Sequence, residues 1–473
     1  MQSLLQLNMR FKLILVILLI NLTATICGKT GYNLTINALQ FPSTDVYLAC
    51  HLNGKVYISD TIHLDKKGKG ISSGEKKLEQ GLYLIYINKT RNYPFLIAEK
   101  QHMTLEIDTL NKVDEFEITG ALESTAFDYY MQFLTQKSNE RAQISSMLKQ
   151  ENADTLSKIK WQEKLDILED KVRKEQLKLS DAFKNKALGI FIRGSLEIEI
   201  PDAYKVNDQY DKKPTWWYYK SHYWDNIPLS DERIWRFNFM TQKLDYFMKH
   251  VLYQDVDSIL PEAINLIGKS RGGDPMAFRI MVSNMLNYAS TSNIMGMDKL
   301  YDRIAQEYYL SGLANWADTT LLNSIRAVVE KNKYNLIGLQ AQNLHYFNEL
   351  GEIPNLYDLN STYTILYFFE PNCGHCKSTT PLLANVFQKY KNRGLKVLAF
   401  YTLTDEKEWI EFRQKYLPQD FNHGWDPART SNYWKYFDTS VTPAMYLLDR
   451  NKIIIAKKID IPTLDRLLET LLK

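Results

Sequence analysis

From Tyr32 to Gly120 apolar and polar residues alternate in short runs: "YNLTINA", "DVYLACHL", "KVYISDTIHL", "GLYLIYIN", "YPFLIAE", "HMTLEID" and "EFEITG". Clusters of Gly, Asn, Asp and Lys separate them. A period of two marks a strand with one buried face, and regularly spaced runs of this length predict an antiparallel β-sandwich over residues 28–120. At Leu122 the period lengthens. Ile144, Met147 and Leu148, then Ile159, Leu165, Leu168 and Val172, recur at helical spacing amid dense charge. A long helical hairpin reaching about Phe191 is therefore expected. The stretch "IEIPDAYKVNDQYDKKPTWWYYKSHYWDNIPLSDERIW" follows neither period and reads as an irregular connector. Its aromatic segment, Trp216 to Asn226, is read as packing before it is read as a peptide- or glycan-binding surface. Helices resume at Asp231, and in "GGDPMAFRIMVSNMLNY" Asp274 stands at the cap position of a helix opening with Pro275. Helical spacing then continues to about Leu344, giving a central all-α domain over 121–345.

Residues 346–473 switch pattern again. "YTILYFF" is a continuous apolar strand, "TPLLANVFQKYKNRG" an amphipathic helix ending at Gly394, and "LKVLAFYTL" a second strand. "DEKEWIEFRQKY" is a second helix, "AMYLLD" and "KIIIAKK" a hairpin through Arg450 and Asn451, and "PTLDRLLETLLK" a closing helix. Strands alternating with helices, then an antiparallel pair, predict a mixed α/β sheet covered on both faces.

Composition narrows the function. A chain of 473 residues holds about three domains at ~150 residues each. With 45% hydrophobic and 24% charged residues it reads as globular, and a net charge of +3 argues against a nucleic-acid partner. The opening "MQSLLQLNMRFKLILVILLINLTATICGKT" places Arg10 and Lys12 before the apolar run Leu13 to Ile20, with small or polar residues after it. That is the layout of a secretory signal over residues 1–27, its apolar run too short to read as a membrane span. Cleavage after Cys27, a lipid anchor on Cys27 and an uncleaved anchor remain open, and all three export the protein to the cell envelope. Without that segment only Cys50, Cys373 and Cys376 remain. A stapled exported domain would carry a larger, even set, so a tight C-x-x-C points to redox chemistry. Cys50, in "VYLACHLNG", reads as a small buried hydrophobe.

The motif is "EPNCGHCK", Glu370 to Lys377, lying where "YTILYFF" turns into a helix. Cys373 falls at the helix N-terminus, where free N–H groups and the helix dipole stabilise a thiolate nucleophile. Cys376 lies on the same face one turn deeper, placed to attack a mixed disulfide on Cys373. The imidazole of His375 can stabilise that thiolate further, making the disulfide a better oxidant, and Gly374 removes bulk where a partner approaches. Zinc would need two more ligands, and no second C-x-x-C exists, so neither metal nor cofactor is expected.

Together these residues resemble a family. Tyr357 to Lys473 is similar to thioredoxin-fold domains of the TlpA/ResA type, within the AhpC/TSA-redoxin superfamily. Pro381 matches the proline that kinks the thioredoxin active-site helix, and "SVTPAMYLLD" resembles the cis-proline segment. The resemblance implies that Thr442 and Pro443 lie beside the cysteines, the backbone before a cis Pro443 forming the substrate groove and the proline keeping metals away. Three positions depart from the pattern: Asn372 replaces the usual tryptophan, Tyr367 a buried acid, and Thr379 a glutamate of some ResA-like proteins. No base for the resolving thiol is therefore evident. "YFFEPNCGHCK", "HYWDNIPLSDERI" and "MYLLDRNKIIIAKK" extend the resemblance to Bacteroidetes envelope proteins, in which a β-sandwich and a helical domain of unknown function precede the thioredoxin-like one. The resemblance implies an envelope thiol–disulfide oxidoreductase, a reductase or isomerase acting on exported protein thiols and disulfides and fed by a membrane thiol–disulfide electron donor. Two other readings stay open: a binding or scaffolding protein with a redox-sensitive module, and a thiol peroxidase, although the P-x-x-x-T-x-x-C loop of that chemistry is missing.

Overall fold

The computed structural model describes residues 31–108, 115–149, 155–206 and 209–473; the expected signal, residues 1–27, lies outside the described residues. Two compact units divide the chain. One runs to Leu252 and takes in Gly268–Ile280; the other comprises Tyr253–Ile267 and Met281–Lys473.

The first unit opens with eight strands: β1 (Tyr32–Asn37), β2 (Asp45–Leu52), β3 (Lys55–His63), β4 (Lys69–Gly74), β5 (Gly81–Asn88), β6 (Arg91–Ile97), β7 (His102–Asp108) and β8 (Glu115–Thr119). They form two four-stranded sheets, in the orders β4-β1-β7-β8 and β3-β2-β5-β6. Leu34, Ile36, Leu105 and Ile107 from one sheet share a core with Leu48, Ile85, Phe95 and Ile97 from the other, as the alternation requires. One pairing departs from the antiparallel expectation: β1 and β7 run parallel, because β1 sits between two strands that are not its neighbours in sequence.

Helices α1 (Leu122–Leu148) and α2 (Thr155–Ala182) form the expected hairpin, with Tyr130 facing Gln176 and Arg141 facing Glu169, and α3 (Ala187–Ser195) follows. The supposed connector is partly ordered. After a short ladder of β9 (Lys205–Val206) and β10 (Gln209–Tyr210) comes helix α4 (Lys212–His222). The Asp211 side chain accepts the Lys213 N–H, and Pro214 lies in the first turn, where intrahelical donors have no partner anyway. Aromatic bulk had masked this start. Tyr223 and Trp224 are buried and the Trp216 Nε1–H donates to the Val251 carbonyl at 2.8 Å, so these members pack, whereas Trp217 is 52% exposed. Then come α5 (Phe239–Tyr246), α6 (Val256–Ser270) and α7 (Pro275–Thr291), the last starting at Pro275 as expected.

In the second unit α8 (Asp298–Ile304) and α9 (Thr319–Asn332) precede the C-terminal sheet. Helical structure stops at Asn332 and does not reach Leu344. The sheet contains β11 (Tyr363–Phe369), β12 (Leu395–Tyr401), β13 (Asn422–Trp425), β14 (Ala444–Leu448) and β15 (Ile454–Lys457), in the order β13-β12-β11-β14-β15. β11, β12 and β13 are parallel, and β14 and β15 antiparallel. Ile365, Tyr367 and Phe369 point to one core and Leu366 and Phe368 to another, so both faces of β11 are covered. Helices α10 (Gly374–Tyr390), α11 (Glu406–Tyr416) and α12 (Ile461–Leu471) complete the fold. Gly394 turns α10 towards β12 at φ 88°, and a Cβ there would sit 2.3 Å from Thr362 Oγ1. The chain is thus multidomain, with N-terminal sheets, a central helical region and a C-terminal α/β sheet of the thioredoxin kind.

Candidate functional site

β11 carries the chain to Phe369, and a turn closed by the Cys373 N–H donating to the Glu370 carbonyl (3.2 Å) starts α10. Cys373 is the N-cap, its backbone extended at φ −82° and ψ 114°. Its Sγ takes the place of a capping oxygen, accepting the Cys376 N–H at 3.1 Å. An anionic sulfur there gains from that bond and from the positive end of the helix dipole. The buried stripe of α10 runs through Cys376, Thr380, Leu383, Phe387 and Tyr390, at helical spacing. Cys376 is therefore the first residue of the stripe and is fully buried, while Cys373, about one turn above it, stays partly open. Burial, helped by the neighbouring Cys373 sulfur, pushes the Cys376 thiol up to about 12. Both sulfurs are unbridged thiols.

The third wall is the segment before β14. The Thr442–Pro443 peptide bond is cis, and the Cys373 thiol donates to the Thr442 carbonyl at 3.2 Å. Cys373, Cys376, Thr442 and Pro443 thus meet at one place. Gly374 and His375 are exposed on the first turn of α10, with the His375 carbonyl accepting the Ser378 hydroxyl (3.0 Å). A Cβ on Gly374 would meet no atom within 4 Å, so a side chain there would project into open space beside the two sulfurs. Pro381 lies inside α10, facing outward.

Two features of the site escaped the sequence. Tyr367, on the face of β11 towards α10, is fully buried, with its hydroxyl 2.9 Å from Thr380 Oγ1 and 3.4 Å from the Cys376 carbonyl. Thr380 Oγ1 donates to that same carbonyl at 2.8 Å. Burial raises the Tyr367 phenol above its usual range, so at neutral pH it donates and is no base. The i, i+4 spacing of Cys376 and Thr380 was the available signal. Asn372, in place of the usual tryptophan, donates through Nδ2 to Glu408 Oε1 (3.2 Å), and the Tyr401 hydroxyl donates to Glu408 Oε2 (3.3 Å). This ties the turn before α10 to α11. No group of metal-ligating side chains occurs among the described residues, and no helix among them is long and apolar enough to cross a membrane.

Residues 360–454 match a family described as thioredoxin-like, and residues 169–335 match a domain of unknown function (DUF5106). A thioredoxin-like protein from Bacteroides caccae is 22% identical, with 58% of this chain and 98% of that one covered, at a TM-score of 0.46. A domain of a possible thiol-disulfide isomerase from Cytophaga hutchinsonii is 33% identical, covering 29% of this chain and 93% of that one, at a TM-score of 0.28. The thioredoxin domain of a thiol-disulfide oxidoreductase from Bacteroides vulgatus is 18% identical, covering 29% and 99%, at a TM-score of 0.28. A search of curated proteins gives no match.

Proposed function

We propose that this chain, whose C-terminal domain belongs to the thioredoxin-like family, is a thiol–disulfide oxidoreductase working on exported proteins through Cys373 and Cys376. The observation that carries the reading is the Cys373 sulfur, which caps α10, accepts the Cys376 N–H and touches the Thr442 carbonyl. The Cys373 thiolate attacks a substrate disulfide, forming a mixed disulfide and releasing one substrate thiolate. That thiolate leaves as the anion and takes its proton from water. Cys376, protonated while buried, loses its proton as it attacks Cys373 Sγ, giving the Cys373–Cys376 disulfide and the second substrate thiol. Two electrons reach the substrate, and a donor dithiol returns them.

The segment read as a secretory signal supports a periplasmic or envelope setting, with a membrane thiol–disulfide protein as donor. We assign the direction as reduction or isomerisation, and equilibration of the protein against glutathione tests that assignment. The mechanism itself is tested by trapping. Cys376→Ser should accumulate mixed disulfides with envelope proteins on non-reducing gels, and Cys373→Ser should not. Trapping through Cys376 alone would reverse the roles, and absence of both adducts and insulin reduction would end the reading.

A further inference from the structure

Between Phe437 and Ala444 no side chain is buried, although this stretch delivers the Thr442 carbonyl to Cys373. Val441 is 76% exposed. Apolar packing therefore fixes only the two ends, and polar contacts must set the path between them. The Asp438 N–H donates to the Tyr446 hydroxyl at 2.6 Å. Asp438 Oδ1 accepts the Ser440 hydroxyl at 2.6 Å and pairs with the Lys331 ammonium, while Oδ2 pairs with Lys458 at 2.7 Å. Lys331 Nζ also donates to Ser440 Oγ at 3.2 Å. Lys331 thus grips the segment at two residues, the nearer two positions before Thr442. Its own position is fixed: just beyond α9, the Asn335 side chain accepts from buried Lys457 of β15 at 2.6 Å, and Asn332 donates to Asp302 of α8 at 2.8 Å.

We infer that Lys331, in the span matching the domain of unknown function, is a positioning residue for disulfide exchange, holding Asp438–Pro443 in register beside Cys373. The inference rests on the redox reading and gives one helix upstream of the thioredoxin-like domain a part in it. An ion pair still partly open to solvent adds little to folding, so its larger effect falls on the loop it aligns. A protein substrate that pairs with the backbone beside Thr442 needs that alignment; a small disulfide that meets only the Cys373 sulfur does not.

The test uses the full-length reduced protein and two disulfides, a peptide with an intrachain disulfide and 5,5′-dithiobis(2-nitrobenzoate). Lys331→Ala should slow the peptide reaction about tenfold, as a small misplacement does, and leave the aromatic disulfide within about twofold. Lys331→Arg should restore the peptide rate, and Lys333→Ala, which removes the same charge two residues away, should leave it unchanged. Equal rates with Lys331→Ala and wild type overturn the inference. So does a parallel loss with both disulfides, which reduces Lys331 to a stability role. A wild type that reacts with the aromatic disulfide but not with the peptide defeats the redox reading and this inference together.

Discussion

Burial separates two sulfurs that sit one helical turn apart. Cys373 is partly open at the cap of α10, and Cys376 is 0% exposed beneath it. In the proposed exchange that difference makes Cys373 the attacking thiol, because the nucleophile is the thiolate and only one of the two can meet a disulfide from solvent. The Cys376 thiol is pushed up to about 12, mainly by burial. At pH 8 a thiol of pKa about 12 is ionised to about one part in ten thousand, against about a tenth or more for an unperturbed cysteine. In the reduced protein, iodoacetamide should therefore alkylate Cys376 at least about 100-fold more slowly than in the urea-unfolded chain. Peptide-resolved mass spectrometry reads this directly. Rates within tenfold of each other would show that Cys376 is not held protonated.

At the scale of elements, the junction of β11 and α10 shows what the sequence could and could not carry. The apolar run of β11, the C-x-x-C at the helix start and the Thr-Pro before β14 are local signals, and the structure brings them to one place. β13 (Asn422–Trp425) was missed because four residues containing Gly and His show no period. α4 was missed because its aromatic side chains obscured an Asp–Pro start. Polar pairs such as Tyr367–Thr380 and Asn372–Glu408 depend on how strand and helix are brought together, which no single segment encodes. Tyr367 and Thr380 make an asymmetric prediction. Tyr367→Phe leaves Thr380 bonded to the Cys376 carbonyl and should cost about 1 kcal/mol. Thr380→Val leaves the Tyr367 hydroxyl buried with only a 3.4 Å contact and should cost about 1–3 kcal/mol. Denaturant unfolding of the two variants decides; a larger loss from Tyr367→Phe would mean that the ring's hydroxyl has another essential partner.

At the scale of the molecule, the C-terminal sheet is joined to upstream helices of its own unit by buried polar groups. Lys457 of β15, 5% exposed, pairs with Asp298 of α8 and donates to Asn335, and Asp302 of α8 accepts from Asn332. Such groups lie far apart in sequence, so no periodicity forecasts them. Their protonation also links this arrangement to pH. Burial raises the Asp302 carboxyl from 3.8 to about 6; the Asn332 bond opposes the rise, the Asp298 charge adds to it and Lys457 opposes it. Between about pH 4 and pH 6 the folded chain therefore holds a proton that the unfolded chain has released, so stability falls as pH rises through that window. Each pH unit there is worth up to about 1.4 kcal/mol. Asp302→Asn mimics the protonated acid and keeps an oxygen for Asn332. It should match wild type near pH 4 and be more stable by about 1–3 kcal/mol at pH 7. Thermal unfolding of both proteins at the two pH values measures the difference. A variant less stable at pH 7, or equally shifted at both, would show that Asp302 is ionised in the fold and that its charge is needed beside Lys457.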